Sequence, residues 1–291
     1  MANRIKNSQL ILVKDNIQGE WNIPLLENAA AMSNAEVAEE PDWEQFNTVI
    51  VCEYTKRAEN IYHTPAPAGK TAVVVGNEMD GVSKDILKRA DKVVKIPMSS
   101  KTLTSVNVGV ASAICLYVLS KNIARNGVPS SNIKQNDTDV LISPPDDPAE
   151  AGSMLRSVAA FGWSKAYTYD EYKSWFSDDR NRILLSRAAA RRDNNPIKIF
   201  EYEKIKAERY KGVVHCSSGR LGVPLTRFRL QDKGRYLLGI GDLPETLPRV
   251  LPVHTVYVDT VNKKIAPAFR HMGSIFLSYI SEMVEMRRKA K

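Results

Sequence analysis

The chain has 291 residues, 43% hydrophobic and 25% charged, the composition of an ordinary globular protein with room for about two domains. No apolar run reaches the ~18 residues of a membrane span, and the three cysteines are too scattered for a disulfide framework or a C-x-x-C site. The net charge of +8 is uneven: residues 1–126 carry 14 Lys+Arg and 14 Asp+Glu, so the whole excess falls in 127–291, which suits either a polyanion partner or a solvated basic surface.

The opening residues, MANRIKNSQLILV, lack signal-peptide organisation, and a cytoplasmic protein is expected. Residues 8–14 read as a strand, 22–33 as a helix and 48–54 as a second strand. The following APAGKT invites a nucleotide-binding reading, but the first glycine of G-x-x-x-x-G-K-[ST] would fall on Thr64. The loop also precedes a strand instead of opening a helix, so a turn is expected.

Residues 71–121 carry the strongest pattern. A β-branched run, 71–75, ends on Gly76 and empties into the loop Asn77-Glu78-Met79-Asp80-Gly81. A short helix is expected near 83–90, then a strand over 92–96 stopped by Pro97. After the polar loop 99–104, a helix is expected from Ser105 to Lys121, with Val106, Val110, Ile114, Tyr117 and Val118 at helical period. Ser105 also suits the cap of that helix. Both loops follow the carboxyl ends of strands, where open α/β sheets bind ligands.

Residues 122–138 are rich in turn formers and divide a first domain, 1–126, from a second, 137–291. The second reads as a strand (139–143), the stretch PPDDPAEAGSMLRSVAAFGW, a strand (165–169), a helix (171–191) and strands at 197–202 and 212–216. GRYLLGIGDLPETL, HTVYVDT and a terminal helix, 268–288, complete it. Arg180, Arg187 and Arg191 fall on one helical face, widened by Arg182 and Arg192; Arg220, Arg227, Arg229 and Arg235 follow, with Phe228 and Tyr236 interleaved. Such residues neutralise phosphates and stack on unpaired bases, and the same stretches would also serve as a solvated face. The four histidines show no ligand spacing, so no metal is expected.

The segments GNEMDGVS, ADKVVKIP and SVNVGVASAICLYV resemble the second and third motifs of the SpoU/TrmH family of SPOUT methyltransferases: a G-x-E-x-x-G loop, an I-P-M strand end and an S-L-N-V-x-x-A helix start. Val106 stands where the family usually has Leu. Asp147, Pro148, Gly152, Arg156, Phe161 and Gly162 match the first motif, with Glu150 in place of the family's Asn. That motif normally opens the domain, whereas here it follows the other two. Circular permutation or tandem duplication would produce the order, and duplication fits better. GRYLLGIGDLPETL, HTVYVDT and the terminal helix occupy the places of the second and third motifs, with Gly241 at the place of Gly76. Residues 22–28 can be laid on the first motif, with Asn28 where its arginine belongs.

The resemblance implies an α/β protein of two SPOUT-like units with mostly parallel sheets and a trefoil knot in at least the first. It implies transfer of a methyl group from S-adenosylmethionine (SAM) to a ribose 2′-hydroxyl of tRNA or rRNA. By resemblance SAM lies at Gly76, Glu78, Gly81, Ile96, Met98, Leu103 and Val106, while Ser105 and Asn107 border the acceptor and Glu78 adds negative charge near the cationic donor. Arg156 is implied to hold an RNA phosphate and assist deprotonation; it also suits an ion pair with Glu150 or Asp147. Glu150 suits a base, a partner for Arg156, or altered activity. In the family the arginine comes from a partner subunit, so the lopsided motifs imply one composite site in a monomer acting as a pseudo-dimer, a homodimer being the alternative. Arg180, Arg187, Arg191, Arg227 and Arg229 are the candidate RNA contacts. Two competing functions are an RNA-binding assembly factor that has lost catalysis and a methyltransferase acting on a base.

Overall fold

A computed structural model describes residues 9–77, 79–191, 194–230 and 232–289, with side chains described as far as residue 286. The chain forms two units, each drawn from separated stretches of sequence. Unit 1 holds the described residues up to Pro97, Asn107–Val128 and Thr260–His271; unit 2 holds Met98–Val106, Pro129–Asp259 and the described residues from Met272. A contiguous division at 126–137 would assign 98–106 and 260–271 the other way.

Unit 1 runs β1 (Gln9–Asp15), α1 (Ile23–Met32), β2 (Glu36–Ala38), β3 (Thr48–Cys52), β4 (Glu59–Asn60), β5 (Lys70–Gly76), α2 (Lys84–Arg89), β6 (Lys92–Lys95), α3 (Val108–Ser120) and α4 (Ile123–Asn126). Its strands form one sheet in the order β2-β1-β5-β3-β6-β4, every pairing parallel. Successive side chains of a strand point to opposite faces. Leu12 and Val13, Ile50 and Val51, and Val73 and Val74 are all fully buried, so both faces of the sheet are covered. That is why these strands read as unbroken apolar runs without alternation. One face gathers Ile11, Val13, Val49, Val51, Ala72 and Val74 under Val82, with Ile86 and Leu87 of α2 packed on them.

The α3 helix is buried along nearly its whole length. It starts three residues later than the apolar period suggested. Asn107, and not Ser105, is the cap: its side-chain oxygen accepts from Gly109 N at 2.9 Å. APAGKT is a turn into β5, with Gly69 at φ +79.

Unit 2 runs β7 (Thr138–Ile142), α5 (Pro148–Ala160), β8 (Lys165–Thr168), α6 (Arg180–Ala190), β9 (Lys198–Glu201), β10 (Gly212–Ser217), β11 (Val223–Pro224), β12 (Tyr236–Ile240), α7 (Leu247–Val250), β13 (Val253–Tyr257) and α8 (Phe269–Lys289). The sheet order is β11-β13-β10-β12-β7-β8-β9, again parallel throughout. Asp147 and Pro148 start α5: the carboxylate accepts from Ala149 N and Glu150 N, and proline fills the first turn where no amide is needed. Residues 171–179, expected to be helical, form turns instead. The Asp170 carboxylate draws in the amides of Ser174, Trp175 and Phe176 and delays the helix to Arg180.

The two sheets share one plan. With β9 set aside, β7, β8, β10, β11, β12 and β13 occupy the same places in the order as β1, β2, β3, β4, β5 and β6. Residues 39–47 suffice to join β2 to β3, whereas 169–211 join β8 to β10 and contain α6 and β9.

At the amino ends of the unit 2 strands, the buried Asp139 carboxylate accepts from Tyr210 Oη at 2.6 Å and from Arg235 at 2.8 and 3.1 Å, and faces Lys165 Nζ at 3.2 Å. Arg235 is therefore an internal tie, not one of the RNA contacts its sequence position suggested. Burial and this carboxylate push the Tyr210 phenol far above its ordinary range. Asp139→Ala should lower the free energy of unfolding by about 2–3 kcal/mol, reduced because solvent screens the half-exposed arginine. A urea titration checks this; an unchanged midpoint would show the cluster to be energetically idle.

Candidate functional site

The loop after β5 is closed by its own backbone. Asn77 and Gly81 exchange two backbone hydrogen bonds, each of 3.0 Å. The Asn77 side-chain oxygen accepts from the amides of Met79 and Asp80, and its amide donates to Asn16 O at 2.9 Å. A Cβ on Gly76 would stand 2.3 Å from the Gly81 carbonyl carbon, and one on Gly81, at φ +72, would stand 2.4 Å from a Glu53 carboxylate oxygen. Only glycine fits either place. Glu78 lies outside the described residues.

Two carboxylates that sequence reading missed hold the far side of the loop. Glu53 accepts from Val82 N at 2.9 Å and from Tyr54 N at 3.0 Å, and Asp15 accepts from Ser83 N at 2.5 Å. Both follow the apolar core of a strand, the only signal that would have flagged them. Ile96, just beyond β6, is buried. Asn107 donates to Asn22 Oδ1 at 2.8 Å while capping α3. Gly76, Gly81, Ile96 and Asn107 thus belong to unit 1.

Met98, Leu103, Ser105 and Val106 belong to unit 2, as does Arg156 of α5. Leu103 and Val106 are buried and Met98 and Ser105 are partly exposed. The side chain of Ser100 accepts from Leu103 N at 3.1 Å, and Ser100 N donates to Ala160 O at 3.2 Å. Arg156, 7% exposed, donates from Nε to Ser105 O at 3.0 Å and from Nη2 to Ser105 Oγ and Val106 O, each at 2.9 Å. Ser105 is thus a partner of Arg156, not a helix cap. Glu150 sits in the first turn of α5, where a negative charge suits the helix dipole.

Asn28 takes the corresponding place on α1. Its side chain donates to Ala266 O at 3.1 Å, accepts from Ala268 N at 2.9 Å and meets His271 Nδ1 at 3.0 Å. Arg156 and Asn28 each hold the segment that leads into a long helix, one with a charged group and one with a neutral amide.

Arg180 and Arg187 are exposed on α6, while Arg191 is its half-buried left-handed cap. Arg182 is committed to Asp146 at 2.6 Å. Arg227 is exposed, and Arg229 bonds the carbonyls of Thr226 and Phe228. Phe228 and Tyr236 are buried and offer no face for a stacked base, which corrects that expectation. Arg192 lies outside the described residues. No cluster of three or more potential metal ligands occurs among the described residues, and no described helix is long and apolar enough to cross a membrane.

Residues 27–117 match the model of the SpoU rRNA Methylase family. That stretch is similar to the SpoU family. The chain shares 43% identity over 60 residues with a tRNA (guanosine(18)-2'-O)-methyltransferase of Aquifex aeolicus, covering 21% of this chain and 28% of that protein. It shares 50% identity over 50 residues with an uncharacterized tRNA/rRNA methyltransferase of Archaeoglobus fulgidus, covering 17% and 22%. The chain thus spans about a quarter of the length of these curated relatives. Among solved structures, the SpoU methyltransferase AviRb from Streptomyces viridochromogenes in complex with AdoMet aligns over 71% of this chain and 79% of its own, at 15% identity and a TM-score of 0.38. The SpoU segment contains the loop after β5 and everything from Ile96 to Asn107, and it ends within α3; Arg156 lies beyond it.

Glu53→Ala should raise hydrogen exchange at the amides of Val82 and Tyr54 by about tenfold, the equivalent of roughly 1–1.5 kcal/mol of lost hydrogen bonding, while amides in β1 and β3 stay protected. Protection unchanged at Val82 would show that the carboxylate does not hold the loop. His271 is fully buried, its Nε2 has no hydrogen-bond partner, and burial, aided by the neighbouring Arg270, holds its pKa down to about 3. The unfolded state then binds the proton first, so His271 costs stability progressively as pH falls from about 6.5 towards 3, at up to ~1.4 kcal/mol per pH unit. His271→Gln should flatten the pH dependence of the urea midpoint in that window; an identical slope would remove His271 from the account.

Proposed function

We propose that this protein transfers the methyl group of SAM to a ribose 2′-hydroxyl of an RNA, tRNA or rRNA. The observation that carries the reading is the guanidinium of Arg156, buried and hydrogen-bonded to Ser105 and Val106 immediately ahead of α3. An arginine brought to the serine of the third motif is what the chemistry asks for: a permanent positive charge beside a hydroxyl-lined loop can anchor a phosphate and set the acceptor. Because guanidinium does not deprotonate in proteins, Arg156 supplies charge and position, and the hydroxyl proton leaves to another acceptor.

SAM supplies an activated methyl on a sulfonium. The residues fit such a ligand in kind. The loop closed between Asn77 and Gly81 offers backbone groups, the partly exposed Met98 and the buried Ile96, Leu103 and Val106 are the proposed apolar neighbours of an adenine, and Asn107 offers an amide for orientation. Glu78 keeps its proposed place near the sulfonium. Arg180, Arg187 and Arg227, all exposed, are the proposed phosphate contacts, with Arg191 and Arg229 as their flanks. The trefoil knot in the first unit, the origin of the two units by duplication and action as a monomer belong to the same reading. The shared strand order of the two sheets supports the duplication.

A second reading, an RNA-binding assembly factor without catalysis, has one observation in its favour. The Nε and Nη2 of Arg156 are spent on the chain's own carbonyls and hydroxyl, as in a residue kept for structure. Calorimetric titration with SAM separates the two, since absence of binding at millimolar SAM would leave the methyltransferase reading without support. Arg156→Ala should reduce methylation of total tRNA or rRNA by about a hundredfold or more while SAM affinity falls much less. Equal collapse of both would show that the arginine only holds the loop. Nuclease digestion and mass spectrometry of the product should show the added mass on ribose; mass on the base would overturn the 2′-O assignment.

A further inference from the structure

Unit 2 has a cleft of ≈ 260 Å³ at the carboxyl ends of β8 and β9, lined by Thr168, Tyr169, Glu171, Phe176, Glu201 and Glu203 among others. Its position is the one where parallel sheets take ligands. It is peculiar to unit 2, because β9 and the turns of 170–179 belong to the excursion that unit 1 lacks. It falls outside the SpoU segment and uses none of the residues proposed for methyl transfer.

The lining is acidic in a chain of net charge +8. Asp170, Glu171, Glu201 and Glu203 are set against a single cation, Lys173, whose ammonium faces Asp178 at 3.7 Å. Asp170 is occupied with the amides of Ser174, Trp175 and Phe176. Among the described residues Glu171, Glu201 and Glu203 make no ion pair. At the base of the cleft Thr168 is 3% exposed, and its buried hydroxyl has no hydrogen-bond partner. A polar group in that condition calls for a partner. Two rings complete the lining: Tyr169, braced edge-on against Tyr202 with centroids 5.5 Å apart, and the partly exposed Phe176.

Such a lining selects a cation, and the spacing of the carboxylates selects which kind. No three potential ligands among the described residues converge on one point, so a single metal ion would find no shared coordination. Carboxylates that do not converge, in a cleft also lined by two aromatic rings, suit several ammonium groups on an alkyl chain. The rings face the methylenes and ammonium groups, the carboxylates take the charge, and Thr168 accepts one N–H. We infer that this cleft binds an organic oligoamine of the linear alkylammonium class.

Spermidine is the probe, titrated calorimetrically into the full chain at low ionic strength, with SAM absent so that the result is independent of the methyltransferase reading. One saturable site is expected, insensitive to Mg²⁺ beyond general screening. The double variant Glu201→Gln/Glu203→Gln should weaken binding by about tenfold or more, and Thr168→Val and Phe176→Ala by smaller factors. Glu245→Gln, an exposed carboxylate outside the cleft, should leave affinity unchanged. Circular dichroism confirms that each variant is folded. The inference is overturned by the absence of saturable binding, by displacement by Mg²⁺ at equal concentration, by unchanged affinity in the double variant, or by an arginine-rich peptide binding where spermidine does not.

Discussion

A buried guanidinium has to find acceptors for its donors, and Arg156 finds them on the backbone of Ser105 and Val106. Those bonds tie the end of the segment from Met98 to Val106, contiguous in sequence with β6, to α5 within unit 2. Asn28 satisfies the same kind of requirement on α1, tying down Ala266 and Ala268 so that Thr260–His271 is counted with the unit that contains β1. The two helices do the same mechanical job with side chains of different charge. Only the arginine brings a permanent positive charge to the segment it holds.

Around these ties the sheets are plain. Parallel strands with both faces covered leave only their ends free for function. At the end of β5 a loop with no room for a methyl at Gly76 or Gly81 is held by Asn77, Asp15 and Glu53. At the end of β8 the unit 2 chain wanders through α6 and β9 before rejoining the common plan at β10. The first arrangement is tight and backbone-lined, the second open and acidic.

Much of this was legible in the residues. The central strands of unit 1 are unbroken β-branched runs, so β1, β3, β5 and β6 could be placed to within a residue or two. Tertiary partners decided the rest. Ser105 reads as a helix cap, but Arg156, far away in sequence, takes its hydroxyl and carbonyl, and Asn107 caps the helix instead. The helix expected from residue 171 is pre-empted by one carboxylate, Asp170, that satisfies three amides. Arg182 and Arg235 read as basic surface until Asp146 and Asp139 are seen beside them. Phe228 and Tyr236 read as stacking platforms although the core has consumed them. The short strands β2, β4 and β11 carry too few residues to show a pattern.

The interleaved make-up of the units bears on how the molecule is made. Unit 1 includes Thr260–His271, which is translated well after the rest of that unit. The amino-terminal sheet can form early, but its last piece arrives after the whole of β7 to β13. Strictly sequential maturation, with one unit finished before the next is translated, the usual habit of larger chains, does not match this order, because the last stretch of unit 1 follows β13 in the sequence.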